Sequence, residues 1–124
     1  MARSFTVLGA LSGFFSVAAG AFAAHALRQR IPQEMLAIFE TAARYQMYHA
    51  LALLAVAWQA QRAGKASLIL SGWCFIAGTV LFSGSLYTLA LGGNAVFGMI
   101  TPLGGLAFLL GWLGLAWGAA RPGS

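Results

Sequence analysis

Apolar residues run along this chain in four long stretches, at about 5–27, 43–61, 67–91 and 99–120, separated by short joints that carry most of the charge. An α-helix needs about 20 apolar residues to cross the hydrocarbon core of a bilayer, so each stretch is long enough to span. Arg28-Gln-Arg30 closes the first stretch, and Ile31-Pro32 interrupts it. Arg62-Ala-Gly64-Lys65 separates the second from the third, Gly92-Gly93-Asn94 the third from the fourth, and Arg121-Pro-Gly-Ser124 closes the last.

Between 32 and 44, Met35, Leu36, Ile38, Phe39, Ala42 and Ala43 alternate at helical spacing with Gln33, Glu34, Glu40 and Arg44. This pattern predicts an amphipathic helix, either a separate element at the interface or a direct extension of the second span; the separate interfacial helix is favoured. The expected architecture is all-α: an integral membrane four-helix bundle, one transmembrane domain over 1–124, with a short amphipathic helix between spans one and two.

Composition agrees with that class. With 60% hydrophobic and 7% charged residues, the chain could not clothe itself in a conventional water-facing surface. The net charge of +5 does not point to nucleic acid, because the seven cations are spread over segment ends without a basic run. Met1-Ala-Arg3 and Ala21-Phe-Ala23 imitate a signal peptide, but the apolar run is longer than a usual signal core and is expected to stay. With four spans both termini share a side, carrying Arg3, Arg62, Lys65 and Arg121 against Arg28, Arg30 and Arg44 on the other. That bias predicts cytoplasmic termini.

Sixteen glycines suit helices that approach closely in lipid. Gly9, Gly13, Ser16, Gly20 and Ala23 or Ala24 recur at steps of three and four in the first span, and Gly104, Ala107, Gly111, Gly114 and Gly118 do so in the last. Both stripes are expected to close the bundle, with self-association as the competing use.

The chemistry-bearing residues gather around one stretch, Glu40-Thr-Ala-Ala-Arg44-Tyr45-Gln46-Met-Tyr48-His49. Counting along antiparallel spans places His25 and His49 at similar depth on the side away from the termini, joined by Thr79, Ser83, Ser85 and Tyr87 of span three, with Asn94 and Thr101 beyond. On a helix, Glu40, Thr41, Arg44, Tyr45, Tyr48 and His49 share about half the circumference, and Gln46 falls outside that arc. Glu40 and Arg44 are spaced for an intrahelical pair, and Arg44 can stack on Tyr48. The candidate polar cluster is therefore His25, Glu40, Arg44, Tyr45, Tyr48, His49, Ser83 and Tyr87. It reads first as a structural network anchoring span two, and second as a pocket or proton relay built on Glu40, His25 and His49.

No cofactor, metal or catalytic residue is expected. Two histidines could ligate haem, but no further motif supports it. The spacing of His25, Glu40 and His49 is no metal signature, and Ser83-Gly-Ser85 lacks the flanks of a nucleophile elbow. The lone Cys74 lies in an apolar run.

Gly20-Ala-Phe-Ala-Ala-His25-Ala-Leu, Thr41-Ala-Ala-Arg-Tyr45-Gln46-Met-Tyr-His49-Ala50-Leu-Ala-Leu-Leu54, Leu81-Phe-Ser-Gly-Ser-Leu-Tyr87-Thr-Leu-Ala-Leu91 and Ile100-Thr-Pro-Leu-Gly-Gly105 together resemble the blocks of the YgdD and transmembrane protein 256 family. The resemblance covers nearly the whole chain, with Ala23 or Ala24 where a glycine is expected. It implies four membrane helices in a bacterial inner membrane or mitochondrial-type setting, and it brings no agreed activity. The resulting expectation is a non-enzymatic structural, assembly or partner-binding component whose partners are the lipid bilayer and either itself or other membrane proteins. The alternative is an oligomeric carrier or pore for a small solute or protons using Glu40, His25 and His49.

Overall fold

A computed structural model describes residues 1–121 of the chain; Pro122-Gly-Ser124 of the closing segment lies outside the described residues. Helix α1 covers Ala2–His25 and is followed by a 3-10 turn, Leu27–Gln29. Pro32 then caps α2, Gln33–Ala63. After the Gly64-Lys65 joint, α3 (Ala66–Gly78), a π-helical turn (Thr79–Ser83) and α4 (Gly84–Ala90) form one continuous rod. The chain reverses at Gly92, whose φ of 97° is a conformation that favours glycine, and α5 runs Phe97–Ala120.

The amphipathic segment 32–44 is helical, but it is not a separate interfacial element. It forms the first third of a 31-residue α2. The reason lies in the sequence: from Gln33 to Ala63 there is neither glycine nor proline, so nothing breaks the backbone where hydropathy changes.

Three rods, α1, Ala66–Ala90 and α5, are long and apolar enough to cross a membrane. The less apolar α2 turns its hydrophobic residues inward, burying Phe39, Ala42, Ala50, Leu53, Val56 and Ala57 among others. It runs antiparallel to α1: Gly9 faces Ala50 and Leu54, Ser16 meets Ala43, and Phe22 meets Phe39. The rod and α5 are also antiparallel, from Lys65 with Gly118 to Ser85 with Thr101. The four helical rods thus alternate in direction and form an all-α membrane bundle.

Glycines allow the closest approaches. The Phe75 ring of α3 covers Gly111 of α5, and the Phe108 ring of α5 covers Gly78, so two rings and two glycines interlock across one interface. Gly104 abuts the backbone of Phe82, where an added Cβ would lie 2.3 Å from the Phe82 nitrogen. The stripe on α5 therefore closes the bundle as the sequence predicts. On α1 it does so in part, since Gly9, Ser16 and Ala23 are buried, Gly13 makes ordinary contact, and Gly20 faces open space. Ala23 is fully buried, so alanine there still packs closely.

Two apolar clusters fill the interior. One, nearer the termini, gathers Phe5, Leu53, Val56, Phe75 and Phe108; the other, near the α1–α2 turn, gathers Ala23, Leu27, Phe39 and Ala90. Polar side chains lie between them.

Candidate functional site: a polar belt between two apolar clusters

Lipid offers no partner for a buried polar group, so each such group must be satisfied within the protein. The belt does this through hydroxyls that donate to carbonyl oxygens of neighbouring helices. Ser16 Oγ donates to the Ala43 carbonyl at 2.6 Å, Ser83 Oγ to that of Ala42 at 2.8 Å, and Ser71 Oγ to that of Gly111 at 2.5 Å. The π turn matters here. It is one wide turn that ends at Ser83 and includes Phe82, whose ring lies against both Tyr45 and Phe108, at ring-centroid distances of 4.9 and 5.4 Å. Single π turns of this kind recur at functional sites.

Gln46 joins three elements. Its Oε1 accepts from the Tyr87 hydroxyl of α4 at 2.6 Å, while its Nε2 donates to the carbonyl and hydroxyl oxygens of Ser12 on α1, at 3.2 and 3.3 Å. Tyr87 also packs edge-on against Phe39 at 4.9 Å.

His49 is buried on α2 at the meeting of α3 and α5. Its ring lies parallel to Phe108, 3.5 Å between centroids. Nδ1 is 2.7 Å from the Tyr45 carbonyl oxygen, and Nε2 is 3.1 Å from the Trp112 indole nitrogen. A carbonyl can only accept and an indole N–H can only donate, so the imidazole is neutral with its proton on Nδ1. A proton on Nε2 would set two donors against each other.

The predicted polar end divides into inner and outer residues. His49, Ser83 and Tyr87 belong to the belt. Tyr45 and Tyr48 stand on the outer face as an edge-to-face pair at 5.4 Å, so Tyr48 stacks on Tyr45 and not on Arg44. Glu40 and Arg44 are exposed and border a groove of about 290 Å³ between α1 and α2, and they form no ion pair with each other among the described residues. His25 is exposed in the last turn of α1, where a basic group suits the helix C-terminus.

The expected common depth of His25 and His49 is incorrect. His49 is level with Leu8 and Ser12, so His25 lies about 20 Å farther along α1 at 1.5 Å per residue. The error follows from α2 starting at Gln33: its first turns run beside the end of α1 and carry His49 to mid-bundle. Among the described residues, no three of His, Cys, Asp and Glu come together where a metal ion could be held.

Gln46, Ser71 and Trp112 are the belt members outside the candidate cluster expected from sequence. Gln46 did carry a signal, since a residue outside the charged arc of α2 faces the bundle. Trp112 carried none within its apolar run.

Much of the belt lies within a region shared with a known family, and Ser12, Ser16 and Trp112 lie outside it. The profile of a family described as "Protein of unknown function (DUF423)" matches residues 19–105. A UPF0382 membrane protein of Haemophilus influenzae is 48% identical over 98% of this chain and 97% of its own length. The UPF0382 membrane protein YwdK of Bacillus subtilis is 45% identical over 90% of this chain and 91% of its own. For the UPF0382 inner membrane protein YgdD of Escherichia coli the figures are 40%, 96% and 91%. No solved structure matches. This chain therefore belongs to the DUF423 family, and its relatives of this identity and coverage carry the name UPF0382 membrane protein.

Proposed function

We propose that the protein is a non-enzymatic component of the bacterial inner membrane, with both termini cytoplasmic, that supports or assembles with other membrane proteins through its outer surface. The observation that carries this reading is the state of the interior. Among the described residues every buried side-chain nitrogen and oxygen has a hydrogen-bond partner within the chain. The polar belt is occupied in tying helices together, which leaves recognition to the outside.

That outside has a shaped feature where belt and surface meet. Between α2 and α5, a groove of about 340 Å³ is bordered by Tyr45, Tyr48, Phe82, Phe108, Leu109 and Trp112. Tyrosine and tryptophan combine a large apolar area with a polar tip, which suits them to contacts between membrane helices. The name YgdD carries the words "inner membrane" for the Escherichia coli relative, and this supports the same membrane here. The excess of cations at the end holding Arg3, Arg62, Lys65 and Arg121 supports the orientation.

The test pairs transport with contact. Purified protein in sealed vesicles is expected to pass neither protons nor small solutes above the level of empty vesicles. A photoreactive side chain at position 48 is expected to capture one defined membrane protein in stoichiometric amount. Flux that changes with Glu40→Gln or His49→Asn would replace this reading with that of an oligomeric carrier. Reporter fusions active on the outer side would reverse the orientation.

A further inference from the structure

On the outer side of the α1–α2 contact, the groove bordered by Glu40 and Arg44 has Val17, Gly20 and Met47 in its lining. A Cβ added at Gly20 would meet nothing within 4 Å, so the floor is open at that level. Ser16 also borders the groove, but its hydroxyl is donated to Ala43. Glu40 and Arg44 are thus two exposed, opposite, mutually unpaired charges, one turn apart, beside a strip of apolar surface.

Their depth is specific. Glu40 lines the groove with Gly20, which lies five residues before the end of α1 at His25, or about 8 Å at helical rise. Within a helix of 24 residues, about 36 Å long, this level lies in the outer quarter of the span, on the headgroup side, where an uncompensated charge is costly. The order along the helix is equally specific. From the α1–α2 turn inward, one face of α2 presents a carboxylate at Glu40, a guanidinium at Arg44, then Met47 and the exposed Leu51, with exposed Val17 opposite on α1.

We infer that this groove binds a phospholipid with a primary ammonium in its headgroup, of the phosphatidylethanolamine class, in the leaflet at the α1–α2 turn. In such a lipid the ammonium lies outermost, the phosphate next and the acyl chain innermost. That is the order of Glu40, Arg44 and the Met47–Leu51 strip. The planar guanidinium donates two parallel hydrogen bonds to a phosphate, and the carboxylate accepts hydrogen bonds from the ammonium. Residues four apart hold their Cβ atoms about 5–6 Å apart, within the reach of a phosphate and an amine joined by two carbons. The lining holds no aromatic ring, so the cage that recognises a quaternary ammonium is missing. An anionic headgroup without an amine would leave Glu40 facing a phosphate.

The test is native mass spectrometry of the full-length protein in detergent, titrated with phosphatidylethanolamine, phosphatidylcholine and phosphatidylglycerol of identical acyl chains. The wild type is expected to retain the ethanolamine lipid about tenfold better than the other two, the ratio for one charged hydrogen bond. Glu40→Gln should remove that preference while leaving retention of the choline lipid unchanged. Arg44→Gln should weaken all three. The swapped variant, Glu40→Arg with Arg44→Glu, keeps both charges in reversed order and should lose the preference. Equal retention of the three lipids by wild type overturns the inference without reference to any variant. A preference that survives Glu40→Gln or the swap, in protein whose helical circular dichroism is native, overturns it as well.

Discussion

The indole N–H of Trp112 on α5 donates to Nε2 of His49 on α2 at 3.1 Å, the one side-chain hydrogen bond between these helices among the described residues. With the Tyr45 carbonyl at Nδ1, it fixes both the position and the tautomer of a buried ring that Phe108 covers face to face. Trp112→Phe keeps an aromatic side chain in the groove but leaves Nε2 without a donor. The expected loss is about 1–3 kcal/mol, the cost of a stranded buried acceptor. Unfolding in mild detergent measures it, and nitrogen NMR of His49 checks the Nδ1–H tautomer in the wild type. A wild-type ring protonated on Nε2 would contradict the assignment.

Close packing around the π turn gives a contrast between two glycines of one region. At Gly104 an added methyl would meet the Phe82 backbone, with the nitrogen at 2.3 Å and Cα at 2.8 Å. Backbone yields less readily than a flexible side chain, so Gly104→Ala is expected to cost about 1–3 kcal/mol. At Gly84, one residue past the turn, an added methyl would meet nothing within 4 Å. Gly84→Ala is expected to be neutral or to stabilise by up to about 1 kcal/mol through helix propensity. Thermal unfolding of both variants in one detergent tests the difference, and equal effects would refute the role given to Gly104.

The contrast also bears on what the sequence can disclose. Glycine spacing on α5 revealed an interface because Gly104, Gly111 and Gly118 are all pressed against the facing rod. The same spacing on α1 overstated it, since Gly20 opens onto a groove. Spacing reports which residues share a face, and it is silent about how far the next helix lies. Span boundaries were legible where proline, glycine or charge interrupts the backbone, as at Pro32 and Gly92-Gly93. The start of span two was not, because hydropathy falls there while helix-compatible residues continue. That single boundary produced the wrong depth for His49. Of the site, His49, Ser83 and Tyr87 were legible as rare polar residues in apolar surroundings. Their pairings with Trp112, Ala42 and Gln46 join helices distant in sequence, so no local pattern could reveal them.

Gln46 and Tyr87 form another side-chain link of long sequence range in the belt, 2.6 Å from hydroxyl to amide oxygen. In lipid such a bond between helices contributes about 0.6 kcal/mol on average and at most about 1.7 kcal/mol. A double-mutant cycle of Gln46→Leu and Tyr87→Phe is expected to return a coupling energy in that range. Gln46→Leu alone should cost more than Tyr87→Phe alone, because it also removes the contacts to Ser12. Additive losses would mean that the two side chains act independently.

Lys65 supplies a different kind of tie, at the end of the bundle that holds the termini. It precedes α3, and its ammonium donates to the carbonyl oxygens of Gly118, at 2.7 Å, and Arg121 at the end of α5. The last carbonyls of a helix lack intrahelical partners, and the helix dipole makes that end negative, so a cation there meets both needs at once. Lys65→Met keeps most of the aliphatic stem and removes the charge. It is expected to destabilise by about 1 kcal/mol and to raise amide exchange over the last turn of α5, with little change in α1. Lys65→Arg should recover most of both, since a guanidinium also donates to carbonyl oxygens. The effect should be local because Lys65 reaches α5 through its terminal carbonyls, while the body of that helix is held by Phe75 on Gly111 and Phe108 on Gly78. Exchange at the end of α5 that is unchanged in Lys65→Met would show that the interlocked rings alone hold the helix, and that the ammonium only rests there.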